Sequence, residues 1–301
     1  MFCNIIYGKR IYTDLYFPQL VKCSEVSEGE ADVVIMAGEV PQDIKAMERQ
    51  GKQWKFDVEY SWLINRTCWF TVKDGKHITY ELKPGMREDY LKIYLLGYGL
   101  SMAFLQRGEM AIHCSALCKD GKAILVAGES GSGKSTTTTA LLEAGFSLMA
   151  DDMALVRLED GKAVCYPAFP YQKLCRDVVE QQKLDMDELI YIDEDKDKFL
   201  VPYKGEFDLT GKEVAAFFYL SCLRNTSELV TEEVTGMNKF HVCVNNLFLR
   251  NLLRDEKYSP AVGGKCLELA SKMNMYLIGR PLEGDTVQER TEYILKTVQN
   301  V

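Results

Sequence analysis

The chain has 301 residues, 47% of them apolar and 27% charged, a balance that excludes a disordered polymer, a collagen-like repeat and a small disulfide-stapled scaffold. Thirty-six Lys and Arg against 44 Asp and Glu leave a formal charge of −8, which argues against general attraction to nucleic acid or to an anionic membrane surface. Any polyanion must be met by a local site, and at roughly 100–200 residues per domain the length predicts two modest domains.

The ten cysteines are scattered without a C-x-x-C pair, so their spacing offers no zinc site. No basic-then-apolar N-terminal stretch with a small-residue cleavage site precedes the first strand, which predicts a cytoplasmic location and reduced, mostly buried thiols. The most apolar helical stretch, Tyr90 to Leu105, is interrupted by Lys92, Gly97, Gly99 and Ser101 and falls short of the ~20 apolar residues of a membrane span. It reads as a core helix, and no membrane partner is expected.

In chain order, β-type runs at Phe2–Tyr7, Asp32–Met36, Trp54–Tyr60, Cys68–Val72 and His77–Leu82 predict an antiparallel β domain, with Asp74-Gly75 as a two-residue hairpin turn. A helix from about Asp89 to Gln106, stopped at Gly108, closes it. The domain boundary is placed at 106/107. Met110–Cys118 and Ala123–Ala127 then read as strands around Asp120-Gly121, Ser135–Ala144 as a helix and Phe146–Ala150 as a strand, which is the βαβ signature. A hairpin at Asp160-Gly161, an acidic stretch at Asp185–Lys198, a strand at Ala215–Leu223 and a helix around Gly236–Leu253 follow. Ser259-Pro260 opens another helix, and Asp285 with Gln288 is spaced as a capping box for a last one, Thr286–Gln299.

Gly128-Glu129-Ser130-Gly131-Ser132-Gly133-Lys134-Ser135-Thr136 matches G-x-x-x-x-G-K-[ST] in full and lies between an apolar strand and a helix, the context that gives the match meaning. A triphosphate is highly anionic, and such a loop answers with convergent backbone N–H groups, a helix N-terminus and one ammonium. Lys134 is expected to reach the β- and γ-phosphates of ATP, and the Ser135 hydroxyl to ligate Mg²⁺.

Asp151-Asp152 stands at the end of the next apolar run, sixteen residues after Ser135. A right-handed crossover would bring the pair to the same sheet edge as the loop, where one carboxylate can hold the metal and the other can take the proton of an attacking hydroxyl. Without the loop, such a pair would more often be a solvated turn. If Asp120-Gly121 is a two-residue turn, counting outward from Lys119 and Lys122 places His113 opposite Gly128, within reach of the γ-phosphate or the Asp pair. Lys173, Arg176, Lys196 and Lys198 are candidates for a further phosphate clamp, although a solvated face is the commoner fate of such charges.

Ala111-Ile112-His113-Cys114-Ser115-Ala116, the glycine-rich loop and Met149-Ala150-Asp151-Asp152 together resemble the catalytic core of the HPr kinase/phosphorylase family, itself similar to phosphoenolpyruvate (PEP) carboxykinase. The agreement in order and spacing runs from Met110 to Asp152, and Tyr166–Leu174 and the N-terminal domain resemble shorter HPr-kinase-like proteins, some of which act as serine kinases on peptides. The resemblance implies an α/β fold: a PEP carboxykinase-like P-loop core with a mixed sheet at 107–301, after a smaller antiparallel β-rich domain at 1–106. It also implies that His113, Lys134, Ser135, Asp151 and Asp152 take the family's roles.

The expectation is an ATP- and Mg²⁺-dependent kinase acting on a hydroxyl, whether a serine of a peptide or protein or a small metabolite. Asp152 would be the base, Asp151 and Ser135 the metal ligands and His113 an aid at the transferring group, with the two Asp roles exchangeable. The family's preference for assemblies raises the expectation of a homo-oligomer, and no nucleic acid is expected as partner. The glutamate- and glycine-containing signature that the true HPr enzyme carries after its aspartate pair is not found, which speaks against HPr as substrate and leaves reverse phosphorolysis open. The alternatives are an ATP-sensing regulatory module without catalysis and, further off, a PEP carboxykinase-like enzyme.

Overall fold

Short apolar runs broken by turn formers make eight strands in the first 82 residues. In the computed structural model of the chain, which describes residues 1–193, 197–250 and 260–300, these are β1 (Phe2–Ile6), β2 (Lys9–Thr13), β3 (Val21–Lys22), β4 (Val33–Ala37), then α1 (Gln42–Met47), β5 (Trp54–Lys55), β6 (Tyr60–Ile64), β7 (Cys68–Lys73) and β8 (His77–Leu82). They form one sheet in the order β3-β1-β2-β4-β8-β7-β6-β5. The expected antiparallel domain is corrected here to a mixed one, because β4 pairs in parallel with both β2 and β8. Hairpin signals report neighbours in sequence, whereas a parallel partner is reached through a long connection that carries no local mark of direction.

At the β7–β8 turn Asp74 and Gly75 have φ of 54° and 63°, and the Lys76 N–H closes on the Lys73 carbonyl at 3.0 Å. Lys73 pairs with His77, so the connection holds Asp74, Gly75 and Lys76 rather than the expected two residues. The helix that follows is α2 (Glu88–Tyr94) and α3 (Leu100–Gln106) around a π-helical turn at Leu95–Gly99, the stretch that carries Gly97 and Gly99.

From Met110 the chain continues through β9 (Met110–Ile112), β10 (Cys114–Lys119), β11 (Lys122–Gly128), α4 (Lys134–Glu143), β12 (Ser147–Ala150), β13 (Ala154–Glu159), β14 (Lys162–Tyr166), β15 (Tyr171–Cys175), α5 (Arg176–Gln181), β16 (Ile190–Asp193) and β17 (Lys198–Pro202). It closes with β18 (Lys212–Leu223), β19 (Val230–Val234), α6 (Met237–Asn245), α7 (Pro260–Ser271), β20 (Met275–Pro281) and α8 (Val287–Gln299). The molecule is therefore a mixed α/β protein with a β-rich N-terminal region.

Two compact units divide it. The first is Met1–Ala111 with Lys173–Pro202 and Phe248–Val262; the second is Ile112–Gln172, Tyr203–Leu247 and Gly263–Val301. The sequence pattern divides the chain once, at 106/107, because composition changes there and nothing in composition assigns the two later segments to the first unit.

The second unit is built on strands in the order β12-β10-β11-β18-β14-β13, with β20 beside β18 and β19 beside β20. β11, β18 and β20 run parallel, while β10 is antiparallel to both β11 and β12. The crossover β11–α4–β12 thus returns in the expected direction but steps over β10. In consequence the C-terminal ends of β11, β12, β18 and β20 and the start of β10 share one edge of the sheet. Asp120-Gly121 makes the expected two-residue turn, with φ of 50° and 77° and Lys119 opposite Lys122, and Asp160-Gly161 does the same between Glu159 and Lys162.

β11 is buried on both faces from Ala123 to Gly128, which is why it reads as an unbroken apolar run. Ile124 and Val126 join Ala216, Phe218 and Leu220 of β18 and Ile278 of β20 on one face, covered by Leu141 of α4 and Ile294 of α8. Two C-terminal expectations change. α6 ends at Asn245: residues 246–249 of the predicted helix form turns and a bridge from Leu247 to Ile112, and residues 251–253, like Ser259, lie outside the described residues. Asp285 accepts from the Val287 N–H at 2.9 Å while Gln288 bonds Glu292, so α8 starts on an Asx turn and no capping box forms. Among the described residues no helix is long and apolar enough to cross a membrane.

Phe218 is fully buried on β18 and its ring lies 5.5 Å from that of Tyr276. Phe218→Ala is expected to lower the free energy of unfolding by about 3–5 kcal/mol, read as a shifted urea midpoint.

Candidate functional site

The glycine-rich turn between β11 and α4 keeps its shape through its glycines. Gly131 and Gly133 have φ of 83° and 93°, left-handed values that a side chain resists. A Cβ on Gly128 would lie 2.5 Å from Ser132 Oγ and 2.6 Å from the Leu220 carbonyl, so only glycine lets the turn pass so close to β18. The Ser132 N–H closes on the Glu129 carbonyl at 3.0 Å. Glu129, Ser130, Gly131, Ser135 and Thr136 are exposed, whereas Ser132 is buried with its Oγ lacking a partner among the described residues. A turn with left-handed glycines, an orphaned hydroxyl and a ten-residue helix starting at Lys134 fits an anion.

Asp151 follows β12 and faces this turn. Ser115 Oγ donates to Asp151 Oδ1 at 2.7 Å, and Lys134 Nζ lies 3.9 Å from the same oxygen. The lysine and aspartate side chains are 14% and 7% exposed, so the pair is shielded from bulk water. Ser115 stands opposite Val126 in the β10–β11 ladder, which sets the reach of its hydroxyl.

Asp152 has a different setting. Its φ is 73°, a left-handed value that Asp tolerates better than most residues. The His113 Nδ1 lies 2.8 Å from the Asp152 carbonyl and 3.7 Å from its Oδ1. A carbonyl only accepts, so Nδ1 carries the hydrogen, and in the neutral ring Nε2 is then an acceptor. Desolvation holds the His113 pKa below its ordinary value; Asp152 opposes that shift and Lys134 reinforces it. Next to it, burial pushes the Cys114 thiol up to about 12, which leaves it unreactive at neutral pH.

The counted register of His113 is right, but the pair is not made. The ladder starts at Cys114 opposite Ala127, and the His113 N–H turns to the Asn246 carbonyl at 2.7 Å. The end of α6 thereby fixes the backbone of His113. The structure brings His113, Gly128–Thr136, Asp151 and Asp152 to the same sheet edge.

Ser115, Asn246, Arg280 and Arg290 are the residues that sequence reasoning missed. Arg280 and Arg290 donate to carbonyls of the glycine-rich turn. Readable signals existed for two of these four: a serine inside a buried strand, and an arginine on the apolar face of α8, four residues before Ile294. Asn246 and Arg280 carry none. Of the residues considered for a further clamp, Arg176 is gripped by Asp197 at 2.6 and 3.0 Å within the first unit, and Lys196 lies outside the described residues.

Among the described residues no group of three or more His, Cys, Asp or Glu side chains is arranged to hold a metal ion. A divalent cation at this edge would rest on Asp151, Ser135 and oxygens of the ligand itself, which is a donor set of hard oxygens that suits Mg²⁺.

No protein-family model matches the chain, and no curated protein matches it in sequence. Among solved structures, the HPr(Ser) kinase/phosphatase from Coxiella burnetii is similar at a TM-score of 0.31 and 15% identity, over 63% of this chain and 94% of that one. At that similarity the case for the site rests on its own residues.

Ser115→Ala removes the hydroxyl that Asp151 accepts from. It is expected to cost about 1.5–3 kcal/mol of stability at neutral pH, measured by urea unfolding, because the bond is to a charged group.

Proposed function

We propose that the chain is an ATP-dependent phosphotransferase with a hydroxyl acceptor, built on a PEP carboxykinase-like P-loop core. The observation that carries this reading is the meeting, at one sheet edge, of the glycine-rich turn, Lys134 beside Asp151, and His113 beside Asp152. An ammonium at the start of a helix and backbone N–H groups of the glycine-rich turn, other than that of Ser132, which bonds Glu129, hold the phosphates of the donor. Ser135 and Asp151 hold the magnesium ion, which when bound neutralises charge on the phosphates.

The environments of the two aspartates support a division of labour. Asp151 is tied down by Ser115 and Lys134 and is 7% exposed at its side chain; Asp152 is 27% exposed, with the His113 ring 3.7 Å from its carboxylate. The constrained carboxylate suits a metal ligand, and the open one suits a base that must meet an incoming hydroxyl. Asp152 takes the hydroxyl proton as the acceptor oxygen bonds the γ-phosphorus and the bond from that phosphorus to the β–γ bridging oxygen breaks. His113, neutral at physiological pH, holds the Asp152 backbone in its left-handed turn. The acceptor is a serine of a peptide or protein, or a small hydroxylated metabolite.

Incubation with γ-labelled ATP and a panel of peptides and hydroxylated metabolites tests the reading. Asp152→Asn is expected to bind nucleotide and to lose transfer by about 10²–10⁴-fold, and full turnover by it would refute the base assignment. Lys134→Ala is expected to weaken both binding and transfer.

The pH profile gives a separate check. Only the neutral ring keeps Nε2 as an acceptor, and the His113 pKa is depressed by desolvation, so activity that uses Nε2 is held above that pKa and lost as pH falls through it. That acid limb should change in His113→Gln; an identical profile would remove His113 from the mechanism.

A further inference from the structure

Two arginines from the end of the chain reach the glycine-rich turn. Arg280, near the end of β20, donates from Nη2 to the Gly131 carbonyl at 2.6 Å and from Nε to the Ser132 carbonyl at 3.2 Å. Its Nη1 turns back to the Pro281 and Leu282 carbonyls at 2.8 and 3.3 Å. Arg290, on α8 and 3% exposed, donates from Nη1 to the same Ser132 carbonyl at 3.3 Å and from Nε to the Thr286 carbonyl at 3.2 Å. Cys222, near the end of β18, adds a thiol contact to the Gly131 carbonyl at 3.4 Å. Three elements of the second unit therefore converge on two consecutive carbonyls.

The arrangement is expensive. Burial and the neighbouring charge of Arg280 both push the Arg290 pKa down, so the fold carries an unfavourable meeting of two cations there. It also constrains sequence: a Cβ on Gly133 would run into the Arg290 guanidinium, so the side chain occupies the space next to the backbone of the turn.

The geometry of the peptide bond gives these contacts a use. In a trans peptide the C=O and the following N–H point in opposite directions. Fixing the Ser132 carbonyl on two guanidiniums therefore turns the Gly133 N–H away from them, and fixing the Gly131 carbonyl leaves the Ser132 N–H on the side where it meets Glu129. The cations also polarise these peptide units so that the outward N–H end becomes more positive, which favours an anion.

We propose that Arg280 and Arg290 are positioning residues for the phosphate-holding turn, gripping its Gly131 and Ser132 carbonyls from the protein side so that nucleotide affinity depends on the last segment of the chain. This rests on the phosphotransferase reading above, to which it adds the groups that preorganise the turn.

The test is titration of the full chain with a fluorescent ATP analogue in the presence of Mg²⁺, beside Lys134→Ala as control and with thermal melting to establish folding. Arg280→Ala is expected to bind about tenfold more weakly, with Arg280→Lys partway back because an ammonium cannot serve both carbonyls in the fork geometry. Added ethylguanidinium should restore part of the affinity of Arg280→Ala, and amide hydrogen exchange in residues 129–134 should speed up in that variant. Arg290→Lys, a milder change at the buried position, should also weaken binding.

Wild-type affinity in a folded Arg280→Ala and Arg290→Lys, with binding lost in Lys134→Ala, overturns the positioning role and leaves the phosphotransferase reading standing. Absence of nucleotide binding by the wild-type chain, or wild-type binding by Lys134→Ala, overturns the phosphate-loop reading and the positioning role with it.

Discussion

The register of the β10–β11 hairpin is the constraint on which the site depends. Pairing Lys119 with Lys122 puts Ser115 opposite Val126 and leaves Cys114 as the last paired residue of β10. Because β12 lies on the other side of β10, Ser115 is then a strand away from Asp151, and its hydroxyl spans the gap at 2.7 Å. A slip of one residue would send Ser115 to the opposite face and Cys114 or Ala116 to the carboxylate. The left-handed Asp120-Gly121 turn is therefore tied to chemistry at the far end of the same two strands.

Two neighbouring aspartates acquire different characters from this placement. Asp151 is drawn inward by a hydroxyl and an ammonium; Asp152 is turned by a positive φ and faces an imidazole through its backbone as well as its side chain. Sequence adjacency alone would make them equivalent. Their separation is produced by the end of a strand followed at once by a left-handed residue, which breaks the alternation that would otherwise continue.

Much of the second unit was legible because its signals are local. The glycine-rich stretch, the apolar run before it and the Asp-Gly turns each state their own structure, and the order strand, helix, strand limits how they assemble. What was not legible came from pairings between distant segments. The strands of the first unit carry no mark that β4 takes parallel partners on both sides. Asn246 stands at the end of a helix whose sequence gives no hint that its carbonyl will hold the His113 amide. Arg280 lies in β20, a strand absent from the expected elements, and its value appears only when the end of β20 is seen beside the turn after β11. Ser115 and Arg290 were the readable omissions, since a hydroxyl inside a buried strand and a cation at an apolar helical position each ask for a buried partner.

The first unit is assembled from pieces that leave the ribosome at different times. Its sheet is complete by Leu82, yet α2 packs against β16, which arrives only after about a hundred further residues have been made. Nascent chains that end near residue 111 therefore expose surface meant for later partners, a state in which chaperone capture competes with folding. Splitting the gene at the apparent domain boundary would fix that vulnerable state permanently, so a stable fragment of this protein has to be cut along its contacts and not along its sequence.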